Sequence, residues 1–397
     1  MNFYLLTLIK AAVLAAVLLT ALAYLQWIER KLIAHIQVRL GPYRVGPHGL
    51  LQPLADVIKL LTKEGFIPAG VSRFTYLLAP FIAVSLALLP FAVIPFGPEI
   101  EVRGSRTWLQ LTDLNIGVLF LLAVSSMSVY AITLAGWSSN SKYALLGSLR
   151  SAAQMISYEL PMAVALASGL LLAETLSLRA IVENQQGFYL GFLPRWHVFQ
   201  LPAPQAIALI IFLIAAFAET NRIPFDLPEA ENELVAGYHT EYSSLTFAAF
   251  FMAEYANMIT ASAVTTTVFL GGWLPAIPEQ WGGRYVPAVA LGLATLVATR
   301  RALRPARVRD RKSLPWVAAT LAVMTGLFLH PVVQTYLLPL FWFTLKTSAI
   351  LLLYIWVRGT LPRFRYDQLM RFTWKFLFPV AVAHLFATAA LVVAFKR

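Results

Sequence analysis

Ten stretches of this chain are apolar enough, and long or nearly long enough, to cross a lipid bilayer, and that pattern limits the fold more than any motif does. They lie at about 2–28, 75–96, 116–137, 156–173, 206–218, 244–270, 285–299, 314–330, 339–357 and 373–395. A backbone inside hydrocarbon must satisfy its own amide groups, which leaves helices or a closed barrel. These runs lack the strict polar–apolar alternation of barrel strands, so they read as helices. No soluble core needs 59% hydrophobic residues at a mean hydropathy of +0.70, and the chain is an integral membrane protein. The expected fold is all-α: one polytopic helix bundle over 1–397. The pair at 285–299 and 314–330 is short for spans and flanks a basic tip, so it reads as an inserted hairpin at about 284–331. With eight other spans this makes about ten crossings, or eight if the hairpin only re-enters. Residues 50–61 carry apolar side chains at helical spacing around Gln52, Asp56 and Lys59; too short to span, they suit an amphipathic helix in the interface. Ala21-Leu22-Ala23 imitates a signal-peptidase site, but the apolar run continues past it, and the segment is read as a retained span.

The formal net charge is +12, and the basic residues sit between spans, where they set orientation rather than recognise nucleic acid. Of 31 lysines and arginines, 22 fall in loops on the side that follows Glu29 and seven on the other. The positive-inside asymmetry places the loop at 219–243 in the cytoplasm and both termini in the periplasm of a bacterial inner membrane. There is no cysteine, hence no disulfide and no thiolate-held metal or iron–sulfur cluster. The six histidines (35, 48, 197, 239, 330 and 384) include no pair three or four apart, so no local metal or haem ligand pair is visible.

Against this background the stretch from Glu219 to Glu241 stands out. It gathers Glu219, Asp226, Glu229, Glu231, Glu233 and Glu241 with Arg222 in a chain that is only 13% charged. Asp226 and Glu229 have capping-box spacing for a helix starting at Leu227, with Pro228 in its first turn. Glu229 and Glu233 then fall one turn apart and repel, so at least one acid holds its proton to higher pH than an isolated glutamate. Such a cluster stores and releases protons; the plain alternative is a solvated loop. Glu159 and Glu254 lie inside spans, where a carboxylate costs about 2.5–3.5 kcal/mol and faces the bundle interior or a wet cavity. They read as proton relays, with an interhelical hydrogen bond as the alternative. Lys346 is expected to snorkel and His384 to be a packed, hydrogen-bonded residue. Arg30, Arg39, Arg44, Arg358, Arg363 and Arg365 match the acidic loop in charge, and arginine suits partly buried pairs. Phe247, Phe250, Phe251 and Met252 line an apolar tunnel or simply pack.

Several motifs add up to a family. Ile28-Glu29-Arg30-Lys31, Arg39-Leu40-Gly41-Pro42-Tyr43-Arg44-Val45-Gly46-Pro47, Ala55-Asp56-Val57-Ile58-Lys59 and Lys63-Glu64 resemble the opening of the NuoH family, the H-type membrane subunit of respiratory complex I (NADH-quinone oxidoreductase). Mitochondrial NADH dehydrogenase subunit 1 is the counterpart of that family. Asp113-Leu114-Asn115-Ile116-Gly117, Ala135-Gly136-Trp137-Ser138-Ser139-Asn140 and Ser157-Tyr158-Glu159 resemble its middle. The acidic loop, Met252-Ala253-Glu254-Tyr255 and Pro362-Arg363-Phe364-Arg365-Tyr366-Asp367-Gln368 resemble its second half, and the order holds from about 24 to 379. The resemblance implies a membrane subunit of a proton-translocating NADH:quinone oxidoreductase, at the entrance to the quinone chamber. It puts Arg30, Asp56 and Phe251 along the quinone path and Arg358 and Arg365 facing the chamber. It makes Glu159, Glu219, Asp226, Glu229, Glu231, Glu233, Glu241 and Glu254 proton-path acids, with Glu29 and Arg222 in ion pairs. Quinone is then a substrate; FMN and the iron–sulfur clusters belong to partner subunits, and the other partners are further complex I subunits and the lipid bilayer. Two departures stand beside this. Tyr43 occupies a position where the family usually has Asn, and the 284–330 segment is extra, expected as a peripheral hairpin against lipid or an accessory subunit. A coupled secondary transporter would show repeated halves, which are absent, and a hydrogenase membrane subunit would share only part of the motif set.

Overall fold

The computed structural model describes residues 3–102, 105–226, 235–304 and 308–395. Among them helix dominates. The long elements are α1 (Phe3–Ile36), α3 (Arg73–Leu88), α4 (Gly117–Ser138), α5 (Lys142–Ala173), α7 (Ala206–Glu219), α8 (Ser244–Phe269), α9 (Val286–Leu303), α10 (Val308–Leu329), α11 (Pro331–Thr360) and α13 (Phe378–Phe395). Of three shorter ones, α2 (Gln52–Thr62) and α6 (Leu178–Asn184) lie outside the spans, and α12 (Tyr366–Phe372) opens the last one, which runs on to Phe395. Eight of the helical stretches are long and apolar enough to cross a membrane, with Ala206–Glu219 and Ser313–Leu329 as shorter apolar helices. The chain is thus the all-α polytopic bundle that its hydropathy implies.

Helices α3, α4, α5, α7 and α8 pack on one another as the heart of the bundle, with α13 against α5 and α11 against α8. Without a hydrophobic force between helices in lipid, close approach relies on small residues. Ala131, Ala135, Ala144, Ser148 and Ser151 are all buried where α4 meets α5. A Cβ on Gly136 would stand 2.1 Å from Ser148 Oγ and 2.6 Å from Ala144 O, so only glycine lets these two backbones meet. The 284–331 segment folds as α9 and α10 packed along each other, with α10 also touching α11. At the start of α10, the Ser313 hydroxyl lies 2.7 Å from His48 Nε2 in the loop after α1.

Helices run past the apolar windows that mark them. The apolar run at 156–173 is only the second half of α5, which begins at Lys142. Ser148, Ser151 and Gln154 occupy its first half and are fully buried, a polar, helix-lined interior that hydropathy does not register. A β-hairpin, β1 (Gly97–Val102) with β2 (Ser105–Leu109), also stands outside the expected all-helical pattern. It pairs Glu99 with Trp108 and Ile100 with Thr107, and Lys10 Nζ donates to Trp108 O at 2.9 Å and Gln110 O at 3.1 Å. Lys346 does not snorkel. It is 8% exposed and donates to Leu270 O at 2.7 Å and Leu274 O at 2.8 Å, capping the carbonyl end of α8. Its ammonium also lies 4.4 Å from the Trp196 ring centroid. His384 lies 3.2 Å from Gln205 Oε1, tying α13 to the start of α7.

Candidate functional site

The site begins where α7 stops. Asn221 takes a left-handed φ of 49°; its N–H reaches Ala218 O at 3.2 Å, and the Arg222 N–H reaches Phe217 O at 3.2 Å. This is a Schellman closure with asparagine in the position usually given to glycine. Gln154 of α5 secures the turn, its Nε2 donating to Ala218 O at 2.8 Å and Phe225 O at 2.8 Å. These bonds satisfy buried carbonyls that would otherwise oppose burial of the loop.

The turn delivers Arg222 into the bundle, 4% exposed. Its guanidinium bridges two helices: Nη1 lies 3.3 Å from Glu29 Oε1 of α1, and Nε lies 2.5 Å from Glu254 Oε1 of α8. The Tyr255 ring centroid is 4.3 Å from it. Glu29, itself 2% exposed, also pairs with Arg358 near the end of α11. Four charges from α1, α8, α11 and the loop therefore form one line, Arg358–Glu29–Arg222–Glu254. Buried ion pairs persist only when each charge is matched.

Two adjoining cavities open on this line. One, of about 570 Å³, is lined by Glu29, Arg30, Arg39, Phe251, Tyr255 and Arg358 together with Gln26, Ile33, Ala34, Gly41 and Pro42. The second, about 290 Å³, is lined by Arg222, Asp226, His239, Phe247, Glu254 and Arg363 among others, and shares Phe251 and Arg358 with the first. Their size falls in the range of small-molecule sites, and both mix aromatic with charged walls. Phe251 stacks its edge toward Phe247, centroids 4.6 Å apart, and His239 packs on both. Burial pushes His239 down to about 4, so the imidazole adds no charge to a wall already rich in arginine. Burial likewise pushes Tyr242, in the same loop, up to about 12.

The remaining sequence candidates distribute as follows. Arg30 pairs with Asp56 of α2 at 2.8 Å, and Gln52 Nε2 donates to the same carboxylate at 2.9 Å. Asp226 pairs with Arg363 at 3.0 Å. Arg365 lies apart from both cavities, largely exposed and 3.3 Å from Asp367. Glu241 contributes its backbone carbonyl to Tyr76 Oη at 2.8 Å. Phe250 is buried, against Tyr238 and Tyr242. Glu159 lies well inside α5 and Glu219 at the end of α7; they accept from the hydroxyls of adjacent serines on α4, Ser126 and Ser125 respectively. Those serines, with Asn221, Gln154, Tyr255 and His239, are site residues that the sequence reading did not single out. Uncharged polar residues in a span carry no mark until a carboxylate is placed beside them. Glu229, Glu231 and Glu233 lie outside the described residues, as does the helix expected from Leu227.

Known proteins match this chain along almost its whole length. A family model described as NADH dehydrogenase matches residues 9–389. An NADH-quinone oxidoreductase H subunit of Solibacter usitatus (strain Ellin6076), the one numbered 1 in that organism, is 61% identical over 391 residues, 98% of each chain. The H subunit numbered 2 in Koribacter versatilis (strain Ellin345) is 48% identical over 400 residues, again 98% of each. The H subunit of Protochlamydia amoebophila (strain UWE25) is 45% identical over 370 residues, 93% of this chain and 92% of its own.

Proposed function

This chain belongs to the H-subunit family of NADH-quinone oxidoreductase, a membrane component of complex I that assembles with the complex's other subunits, and from that premise we propose that its two adjoining cavities receive the quinone and pass the charge change of its reduction to intramembrane acids. The observation that carries this is the unbroken line Arg358–Glu29–Arg222–Glu254. Its outer end borders the larger cavity and its inner end is a carboxylate on a membrane helix.

The isoprenoid tail would approach through lipid along α2, whose Leu54, Val57, Ile58 and Leu61 are exposed. Phe251 and Tyr255 offer flat faces to the ring, while Arg30 and Arg358 offer donors to its oxygens. Reduction to quinol takes two electrons and two protons. The electrons come from iron–sulfur clusters and FMN on partner subunits, since thiolate ligands are missing here. Negative charge developing on the headgroup draws on Arg358, loosening its hold on Glu29, and Glu29 then competes more strongly for Arg222 against Glu254. The response moves inward through Glu254, Glu219 and Glu159 toward neighbouring membrane subunits. Asp226, Glu229, Glu231, Glu233 and Glu241 form the cytoplasmic store that refills it. Arg365 belongs to the cytoplasmic rim that meets the peripheral arm rather than to the chamber wall. In this arrangement both termini are periplasmic and the 219–243 loop is cytoplasmic.

Glu29→Gln tests the reading, because it removes the carboxylate shared by Arg222 and Arg358. NADH:quinone activity should fall by about tenfold or more, the effect of about 1.4 kcal/mol on a barrier. NADH oxidation by artificial acceptors, which bypasses the membrane arm, should persist. Unchanged quinone activity and pumping in the assembled variant would overturn it.

A further inference from the structure

Glu159 and Glu219 stand on different helices, yet two consecutive hydroxyls of a third helix serve them. Ser125 Oγ donates to Glu219, and Ser126 Oγ donates to Glu159. Ser126 has a second acceptor in range, Leu122 O at 2.8 Å. A serine hydroxyl has one proton to give and two lone pairs to offer. With Glu159 ionised, Ser126 donates to the carboxylate. When Glu159 is protonated, the carboxyl donates to Ser126 Oγ, and the serine proton turns to Leu122 O. Both states keep every partner, and no helix has to move.

Two small cavities border Glu219 of this pair. One, of about 60 Å³, is bordered by Ser125, Ser128, Glu219, Asn257 and Thr260, and the Thr260 hydroxyl is buried without a hydrogen-bond partner among the described residues. The other, about 40 Å³, is bordered by Ser128, Glu219, Asn257 and Glu254. A water needs about 10–15 Å³ of such space and two to four polar partners, and both volumes meet that requirement. Glu254 and Glu219 thus share one water-sized, polar-edged space.

We propose that Ser125 and Ser126 are positioning residues for proton transfer, holding Glu219 and Glu159 so that each binds or releases a proton at fixed geometry, with Ser128 and Asn257 orienting water between Glu219 and Glu254. No oxidant or further reactant is involved; each step moves one proton between oxygen atoms. The proposal rests on the proton route of the preceding subsection and adds the neutral groups that make it passable.

The test uses the whole complex in proteoliposomes, following NADH:quinone turnover and proton uptake across pH. In Ser126→Ala and Ser125→Ala the ionised carboxylate loses a donor, which favours its protonated form. The pH profile of coupled proton transfer should move upward by about one unit, the effect of one charge-assisted hydrogen bond. Ser126→Cys, which keeps size but donates weakly, should move the same way, and Ser126→Thr should restore the original profile. A purely structural role would lower the amount of assembled complex, read from NADH oxidation by an artificial acceptor, and leave the profile in place; that result overturns the proposal. Glu219→Gln and Glu159→Gln separate the two levels. If they abolish pumping while the alanine variants keep the original profile, only the serine assignment fails. If the glutamine variants pump normally, the route itself fails.

Discussion

Replacing Arg222 by Gln should destabilise the bundle more than any other single removal of charge. In the wild type this side chain, 5% exposed, matches Glu29 at 2% and Glu254 at 12%. After the change Glu29 keeps Arg358, whereas Glu254 has no other cation within pairing distance among the described residues. Breaking a buried pair from one side costs about 3–5 kcal/mol, because the remaining charge is left without compensation. Removing both partners leaves two neutral amides, so Arg222→Gln/Glu254→Gln should recover about 2 kcal/mol of that loss, a coupling of the size contacting residues show. The assay is thermal denaturation of the purified complex, scored by when this chain aggregates, in a cycle of wild type, two single variants and the double. The recovery need not restore catalysis, and quinone activity is not the readout. If the double variant loses as much as the two singles summed, Arg222 and Glu254 do not act as a pair, and the line from Glu29 to Glu254 is broken at its inner link.

Other consequences follow from the same geometry. Phe251→Ala enlarges both cavities at their shared wall, and the KM for a short-chain quinone should rise several-fold with kcat less affected; unchanged KM would remove Phe251 from the path. His239 and His197 are both held down to about 4 by burial, below the ordinary 6.5. The unfolded chain therefore takes up protons first as pH falls, so their contribution is complete above about 6.5 and lost between 6.5 and 4. Thermal stability across that window should decline, and His239→Gln should flatten the slope; an unaltered slope in that variant would refute the assignment. A cysteine placed at Arg311, in the first turn of α10, should react with impermeant reagents only from the cytoplasmic side. Labelling from the periplasm would refute two full crossings by the insert.

The spans were legible because lipid imposes one rule on every residue of a helix, and mean hydropathy reports it. What hydropathy misses is polar helix turned inward. Ser148, Ser151 and Gln154 give α5 a first half that reads as loop, yet they sit at 0% exposure: Ser148 donates to Leu145 O within its own helix, while Asn221 and the carbonyls of Ala218 and Phe225 supply Ser151 and Gln154 with partners from 64 to 71 residues away. The β1–β2 hairpin was hidden differently, as a short stretch beyond the bilayer whose Glu99-Ile100-Glu101-Val102 alternation is too brief to stand out. Lys346 reads as a snorkelling lysine since the carbonyls that hold it, Leu270 O and Leu274 O, belong to the turn that closes α8, more than 70 residues away. In the site, Glu159 and Glu254 declared themselves as charges in apolar runs, and Arg222 as a lone cation among acids. Which charge meets which is tertiary, and Ser125 and Ser126 acquire meaning only from the carboxylates brought to them.

Sorting the acids by partner gives the line a direction. Glu29 meets two arginines, Glu254 meets one, and Glu219 and Glu159 meet hydroxyls and, among the described residues, no cation. An arginine stabilises only the ionised carboxylate, because it has five donors and nothing to accept with. A hydroxyl serves either state. The outer acids are therefore suited to sense charge at the cavity, and the inner acids to change proton occupancy. On the proposed route, a signal starting at the headgroup would meet first the group whose ion pair it can disturb, and last the groups for which a proton more or less costs little. Glu254 sits at the exchange between the two regimes, with Arg222 on one side and a water-sized cavity shared with Glu219 on the other. Glu254→Asp should expose this position. The side chain, one methylene shorter, cannot keep Arg222 at 2.5 Å and still border the cavity, so quinone reduction should continue while the protons moved per NADH fall. Equal loss of both would mean that Glu254 belongs to the outer pairs alone.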